Sequence, residues 1–217
     1  MKSWRRWWKM DRSGYRYLIV FALIAALGII AGNILGYIIA GISGLLFLFT
    51  AFFFRDPKRQ IPAGEDNIVS PADGIIIGVD SVKDSDVGDS DRVIIFMNLH
   101  NVHINRAPCG GKVEKIRHHD GKFLKAFKPE ASLENERTEM VLSTNWGPVK
   151  VVQIAGIIAR RIVCRAAPGD ELARGQKYGI IHFGSRVEVF IPQGKAKILV
   201  KNGDKVLAGE SILGQWK

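Results

Sequence analysis

The sequence predicts a mostly-β barrel or sandwich domain preceded by an N-terminal transmembrane helical hairpin. Residues 17–54 form a run of 38 residues without a charged side chain, and basic residues flank it on both sides. Beyond residue 55, short Val- and Ile-rich runs alternate with Gly, Pro and Asp, which is typical of strands joined by turns. Many short strands with little helical periodicity favour a β architecture.

The uncharged run is too long for one membrane-spanning helix, which needs about 20 apolar residues, and suits two. Gly32, Asn33 and Gly36 supply a turn near its middle. Basic residues occur beyond both ends but not at the turn, so both ends are predicted to be cytoplasmic. A signal peptide fits less well because the run is long and lacks a cleavage site. A buried hairpin in a soluble core is disfavoured because such runs are rare in soluble chains.

The charge pattern indicates an anionic partner. The net charge is +10 with a pI near 9.8, which suits nucleic acid or an anionic membrane. Six basic residues lie among three tryptophans within residues 1–16. Next to a transmembrane hairpin this tail predicts membrane-surface binding and no nucleic-acid partner. Domains are therefore expected at 1–16 (basic aromatic cytoplasmic tail), 17–54 (two transmembrane helices) and 55–217, with the last domain on the cytoplasmic side of the cell membrane.

Strands are predicted wherever a short apolar run lies between turn signals. The ranges are 68–69, 74–79, 92–97, 112–116, 139–142, 149–154, 157–163, 178–183, 186–191 and 197–200. Residues 124–135 are expected to be irregular or partly helical. Cys109 and Cys164 lack the spacing of a zinc site, and reduced structural thiols are favoured over one disulfide.

Two histidines, His100 and His103, follow a predicted strand and precede Pro108. On a helical or irregular turn they would share a face, whereas on a strand they would point to opposite faces. Histidine moves protons near neutral pH, so acid–base chemistry is the first interpretation. Structural packing and metal binding remain open, although no further ligand pattern completes a metal site. The pair His118 and His119 is expected to lie in an exposed loop.

Two further positions carry potential chemistry. Asp73 precedes a glycine, which usually marks a turn, unless its carboxylate orients a histidine. Gly184 and Ser185 lie where two predicted strands meet, and a plain turn is one interpretation. The other is that Ser185 attacks the carbonyl of Gly184, since glycine permits a strained, exposed backbone and a nearby base can take the hydroxyl proton.

The chain from about residue 55 to 217 resembles the phosphatidylserine decarboxylase family, in its compact archaeal and bacterial branch. The resemblance is carried by Phe-Arg-Asp-Pro at 54–57, Ser-Pro-Ala-Asp-Gly at 70–74, His-Asn-Val-His at 100–103 followed by Arg-Ala-Pro at 106–108, Phe-Gly-Ser at 183–185, and the Gly-Asp segment at 203–209. The last segment resembles the turn of a lipoyl- or biotinyl-like β-barrel or sandwich. It lacks the lysine that such carriers modify, so a scaffold role is expected.

The resemblance implies a self-cleaving zymogen. Ser185 would break the bond after Gly184, giving a β chain of residues 1–184 and an α chain of 185–217 that begins with a covalent pyruvoyl group. Asp73 would orient His103, and His103 would act as the base that takes the serine proton during cleavage. His100 would act in turnover, in which the pyruvoyl group forms a Schiff base with the substrate amine. No metal is expected.

The implied reaction converts phosphatidylserine to phosphatidylethanolamine and CO2 in phospholipid biosynthesis. Archaetidylserine, an ether lipid, is the alternative substrate, and an uncleaved membrane-tethered β-barrel scaffold is the alternative of a different class. The family's long form has Leu-Gly-Ser-Thr at the cleavage point, where this chain has Arg186 after the serine. Arg186 is either a substrate-binding residue or a solvated strand residue. Homo-oligomerisation is left open by the sequence.

Overall fold

The chain divides into two compact units, Met1–Lys58 and Arg59–Lys217, in a computed structural model. The structure describes residues 9–127, 130–157, 161–182 and 184–217. Half of the predicted basic tail, residues 1–8, and Phe183 of the Phe-Gly-Ser motif therefore lie outside the described residues.

The first unit contains two apolar helices, α1 (Tyr15–Ile30) and α2 (Ile34–Phe53). A short 3-10 turn, Arg12–Gly14, precedes α1. Asn33 caps α2, because its side-chain oxygen accepts a hydrogen bond from the Gly36 N–H at 2.9 Å. Both helices are long and apolar enough to cross a membrane, which indicates membrane association.

Glycines allow the two helices to approach closely near the turn. A Cβ added to Gly36 would lie 2.3 Å from the Gly28 carbonyl oxygen, and one added to Gly28 would lie 2.5 Å from the Gly36 carbonyl oxygen. Such small-residue contacts are typical of helix pairs in lipid. The outward faces are apolar, with Leu27 at 66% and Ile30 at 79% exposure, and therefore suit a hydrocarbon environment.

The second unit is mostly β, as the sequence predicts. Within the described residues it contains one short helix, α3 (Ala131–Glu134), and fourteen strands. The strands are β1 (Asn67–Val69), β2 (Gly74–Asp84), β3 (Gly88–Met97), β4 (Ile104–Arg106), β5 (Gly111–His119), β6 (Arg137–Thr144), β7 (Gly147–Ala155), β8 (Ile162–Cys164), β9 (Glu171–Leu172), β10 (Lys177–Ile181), β11 (Ser185–Pro192), β12 (Ala196–Ile198), β13 (Lys205–Val206) and β14 (Ile212–Trp216).

The strands form one large and two small antiparallel sheets. The large sheet has eight strands in the order β13-β2-β3-β11-β7-β6-β5-β9. The small sheets are β1-β14-β12 and β4-β10-β8. Strand β11 lies between β3 and β7 and is buried along its whole length. Ser185, the predicted nucleophile, therefore begins the most enclosed strand of the large sheet.

Two sequence predictions about local structure are wrong. The strand predicted at 157–163 is shorter than expected, because β8 begins only at Ile162. Ile157 lies in a bend, and residues 158–160 are outside the described residues. Apolar composition does not distinguish a strand from a loop that borders a cavity, which is where Ile157 lies. His118 and His119 are not in a loop but end β5, where they pair with Thr138 and Arg137 of β6.

The Ser-Pro-Ala-Asp-Gly segment at 70–74 and the C-terminal Gly-Asp segment at 203–209 pack against each other. Strand β13 pairs with the start of β2 through Lys205 opposite Ile75 and Val206 opposite Gly74. The Gly209 N–H donates to the Ser70 carbonyl at 2.7 Å. The C-terminal turn thereby supports the loop that carries Asp73.

The cysteines are unbonded, as the sequence predicts. Cys109 is buried and Cys164 is partly buried, and both are free. Burial raises the pKa of the Cys109 thiol to about 12. This thiol is therefore protonated at neutral pH and is a poor nucleophile.

Candidate active site

The Gly184–Ser185 peptide bond lies where the chain passes from one sheet to another. Strand β10 belongs to a small sheet, and β11 begins at Ser185 in the large sheet, opposite Met97 of β3 and Ala155 of β7. Gly184 has φ +70, a left-handed conformation that glycine adopts at little cost. Ser185 is fully buried, and its hydroxyl donates to the Met97 sulfur at 3.3 Å. The serine is thus shielded from bulk water.

The second histidine of the pair contacts the residue that carries the candidate scissile carbonyl. His103 is fully buried, and its Nε2 accepts a hydrogen bond from the Gly184 N–H at 3.1 Å. Because Nε2 accepts, the proton of a neutral ring lies on Nδ1, which is 3.0 Å from the Asn101 carbonyl oxygen. In this tautomer the unprotonated nitrogen, Nε2, faces the Gly184 N–H beside the predicted cleavage point.

The first histidine of the pair lies in a different environment. His100 is exposed in the turn after β3, whereas His103 is buried. The turn is closed by Asn98 and Asn101, whose backbone N–H groups bond to the Asn101 side chain and the Asn98 carbonyl, respectively, both at 2.9 Å. The three-residue spacing therefore places one ring inside the domain and the other at its surface.

Asp73 forms a buried ion pair. Its carboxylate accepts two hydrogen bonds from one Arg59 nitrogen at 2.7 and 2.8 Å and a third from the Ala208 N–H at 2.8 Å. Both side chains are nearly inaccessible, at 8% exposure for Arg59 and 4% for Asp73. Glu210 lies 3.5 Å from the same guanidinium group. These contacts join the 70–74 loop to the C-terminal turn, and a role of Asp73 in orienting His103 stays a prediction.

Replacing Arg59 with methionine is expected to lower the free energy of unfolding of the β unit by about 3–5 kcal/mol, because it leaves the buried Asp73 carboxylate without its cation. Urea unfolding of the detergent-solubilised chain, followed by tryptophan fluorescence, measures this change. Lys122→Met is the control, since the Lys122–Glu134 pair is exposed and such pairs contribute little. Equal midpoints for both variants would contradict the prediction.

Arg186 is buried, so the interpretation of a solvated strand residue is wrong. Its side chain is 3% exposed and forms an ion pair with Glu188 at 2.6 Å. Burial lowers the pKa of the Arg186 guanidinium, and the nearby Glu188 opposes this effect. Glu188 also accepts a hydrogen bond from the Ser132 hydroxyl at 2.8 Å. A substrate-binding role for Arg186 stays a prediction.

A cavity of about 240 Å³ opens at Gly184. Its rim includes the exposed apolar residues Leu99, Phe127 and Ile157, at 37%, 55% and 50% exposure. A neighbouring cavity of about 460 Å³ shares Phe127 and is lined by Arg186 among other residues. The candidate cleavage point is therefore bordered by apolar surface on one side and by charged groups on the other.

Several residues at this site were missed by the sequence analysis. They are Met97, Asn101, Gly156 and Arg59, which contact Ser185, His103, Gly184 and Asp73, respectively. Asn101 lies within the His-Asn-Val-His motif and reaches His103 through a local contact. Nothing in the local sequence marks Met97, Gly156 or Arg59, because their contacts depend on tertiary structure. Within the described ranges, no group of three or more His, Cys, Asp or Glu residues is arranged to hold a metal ion.

Comparison with known proteins provides independent evidence. The family model described as phosphatidylserine decarboxylase matches residues 46–214. A phosphatidylserine decarboxylase proenzyme of Carboxydothermus hydrogenoformans is 42% identical over 210 residues, covering 96% of this chain and 97% of the relative. Proteins of the same name from Pelobacter propionicus and Nitrosomonas europaea are 44% and 47% identical over 208 and 174 residues. These two alignments cover 93% and 79% of this chain and 94% and 80% of the relatives. The chain therefore belongs to the phosphatidylserine decarboxylase family of carboxy-lyases.

Proposed function

We propose that this chain is a membrane-anchored proenzyme that cleaves itself between Gly184 and Ser185 and then decarboxylates the serine headgroup of phosphatidylserine, giving phosphatidylethanolamine and CO2. The observation that carries the proposal is the buried Ser185 beside Gly184, whose N–H is bound by His103. Family membership supplies the reaction class.

In the proposed first step, the Ser185 oxygen bonds to the Gly184 carbonyl carbon while the peptide C–N bond breaks. His103 accepts the hydroxyl proton and passes it to the departing nitrogen, so the product is an ester with a free amine. His103 Nε2 is bonded to the Gly184 N–H and the Ser185 hydroxyl to Met97. The reaction therefore requires His103 Nε2 to release the Gly184 N–H and the Ser185 side chain to rotate away from the sulfur towards the imidazole.

In the second step, the Ser185 Cα proton and the bond from its Cβ to the ester oxygen are lost. Gly184 keeps a carboxylate, and residue 185 becomes a dehydroalanine at a new N-terminus. Its tautomer takes up water and releases ammonia, which leaves a pyruvoyl group. The β chain is then 1–184 and the α chain is 185–217.

The site fits a pyruvoyl group at position 185. Residue 185 is held on both sides by strand pairing with Met97 and Ala155, and the adjacent residue, Gly184, lines a cavity that is open to solvent. When present, the group supplies an electron sink for the loss of CO2 from an amino acid. We assign delivery of the following proton to His100, whose neighbour Leu99 lines the same cavity.

A membrane lipid suits the surroundings of the site. Leu99, Phe127 and Ile157 present apolar surface to solvent at the cavity, and Lys125 adds a positive charge there. Apolar residues next to a cation match the boundary between acyl chains and anionic headgroups. The basic residues beyond both ends of the helical hairpin favour a catalytic domain on the cytoplasmic side of the membrane.

Intact mass spectrometry of the purified chain in detergent, together with a lipid conversion assay, tests the proposal. We expect two chains that divide after Gly184, with the α chain lighter by one ammonia than hydrolysis alone would give. Phosphatidylserine should be converted to phosphatidylethanolamine, and archaetidylserine in parallel tests whether the site accepts an ether lipid. A single folded species of 24.1 kDa would reject the proposal and favour the scaffold alternative.

A further inference from the structure

We propose that Gly156 is a positioning residue for self-cleavage. Because Gly156 has no side chain, the Gly184 carbonyl group can pack directly against its Cα. The inference rests on the proposed function and adds a residue that contacts the scissile carbonyl from the neighbouring strand. It is carried by strand register and by the space around Gly156.

The register of β7 and β11 places Gly156 opposite Gly184. Ser185 pairs with Ala155 in this antiparallel ladder, and Arg186 pairs with Ile154. Gly184 immediately precedes the first residue of β11, and Gly156 immediately follows the last residue of β7. Extended by one residue, the same register therefore places Gly184 opposite Gly156. Sheet geometry therefore brings these two backbones together at the end of the strand pair.

The space at Gly156 is occupied by the carbonyl group of Gly184. A Cβ added to Gly156 would lie 2.3 Å from the Gly184 oxygen, 3.2 Å from its carbonyl carbon and 3.3 Å from the Ala126 Cβ. The first two are backbone atoms, so the clash cannot be relieved by a side-chain rotation. An alanine at 156 must displace the carbonyl that Ser185 is proposed to attack.

Gly184 is consequently held from two directions. Its N–H bonds to His103, and its C=O lies against Gly156. Attack by a hydroxyl depends on the angle and distance to the carbonyl carbon, and a misplacement of about 1 Å costs roughly 100-fold in rate. Space does not explain the glycine at 184, since among the described residues the nearest atom to an added Cβ belongs to Leu99, at 3.9 Å; the positive φ of Gly184 favours glycine instead.

Other glycines of the β unit provide matched controls. A Cβ added to Gly111 would lie 2.5 Å from the Ser143 carbonyl oxygen, which is a similar backbone clash in the β5–β6 ladder. A Cβ added to Gly110 would come no closer than 3.7 Å to any neighbouring atom. Gly111→Ala therefore measures how much a backbone clash away from the cleavage point lowers the folded fraction and the cleavage rate. Gly110→Ala measures the same two quantities for a glycine-to-alanine change without a clash.

The experiment compares the self-cleavage rates of Gly156→Ala, Gly111→Ala, Gly110→Ala and the unchanged chain, synthesised in a cell-free system with nanodiscs. Rates are expressed per folded molecule, from the protease-resistant fraction. We expect cleavage of Gly156→Ala to be about 100-fold slower. Gly110→Ala should match the unchanged chain, and Gly111→Ala should lose folded protein without a comparable loss of rate.

Hydroxylamine adds a readout that a purely structural role would not change. At neutral pH it splits an ester and leaves peptide bonds intact, so it divides after Gly184 a chain that has stopped after the first step. The Asn202–Gly203 bond, which alkaline hydroxylamine also opens, would give fragments of different mass. The Gly156→Ala chain should remain whole in hydroxylamine, because the displaced carbonyl prevents ester formation. Three results for Gly156→Ala would each overturn the inference. They are splitting of the chain by hydroxylamine, a self-cleavage rate equal to that of Gly111→Ala, and a complete absence of folded protein. Failure of the unchanged chain to cleave would instead reject the proposed function.

Discussion

Replacing Ser185 with alanine is expected to leave one uncleaved chain of 24.1 kDa with no decarboxylase activity. The substitution removes the hydroxyl that attacks Gly184 and the atoms from which the pyruvoyl group is made. The remaining Gly-Ala bond is an ordinary amide, which is stable in a buried strand. The fold should persist, because the lost group makes a single hydrogen bond to the Met97 sulfur. Intact mass and conversion of phosphatidylserine in mixed micelles measure the two losses.

The matched control for this substitution is Ser90→Ala. Ser90 is also buried in the large sheet, where its hydroxyl donates to the Val82 carbonyl at 2.9 Å. We expect this variant to be cleaved into two chains and to remain active. If Ser185→Ala still yielded chains divided after residue 184, another nucleophile would be acting and the assignment of Ser185 would be rejected.

Substitutions of the two histidines are expected to separate cleavage from turnover. His103→Gln keeps a polar side chain in the buried position but lacks the imidazole base. It should therefore remain uncleaved. His100→Ala should be cleaved normally, since His100 is exposed in the turn after β3. Its decarboxylation rate should fall by about 10²–10⁴-fold, the usual contribution of a positioned proton donor.

Both histidine variants are compared with His118→Ala, which removes a partly exposed ring at the end of β5. Mass spectrometry reports cleavage, and CO2 release from labelled substrate reports turnover on the cleaved fraction. His118→Ala should leave both unchanged. Cleavage of His103→Gln at the normal rate, or loss of cleavage in His100→Ala, would show that the assigned roles are exchanged or wrong.

The apolar helical hairpin and most of the larger strands are predictable from the sequence because their signals are local. A long uncharged run with a central Gly-Asn turn becomes two helices, and Asn33 caps the second. Predicted strands at 74–79, 92–97 and 149–154 lie within β2, β3 and β7. Strands β4, β9 and β13, which have two or three residues, are too short to show a hydrophobic period and are absent from the predicted strands.

The residues proposed to carry chemistry, a histidine pair, a Gly-Ser step and an aspartate before glycine, come from the resemblance to the family that the comparisons identify. Their partners depend on contacts between residues far apart in the chain. His103 meets Gly184 across 81 positions, and Asp73 meets Ala208 across 135.

Hydropathy and turn signals therefore predicted the architecture, and the family resemblance predicted the reaction class, whereas only the tertiary structure decided the geometry of the site. Strand pairing places the Gly184 carbonyl against Gly156, and burial turns Arg186 into an ion-pair partner of Glu188. The physical reason is that hydropathy and turn propensity act over neighbouring residues. Register, close backbone approach and charge pairing arise only when distant strands share one sheet.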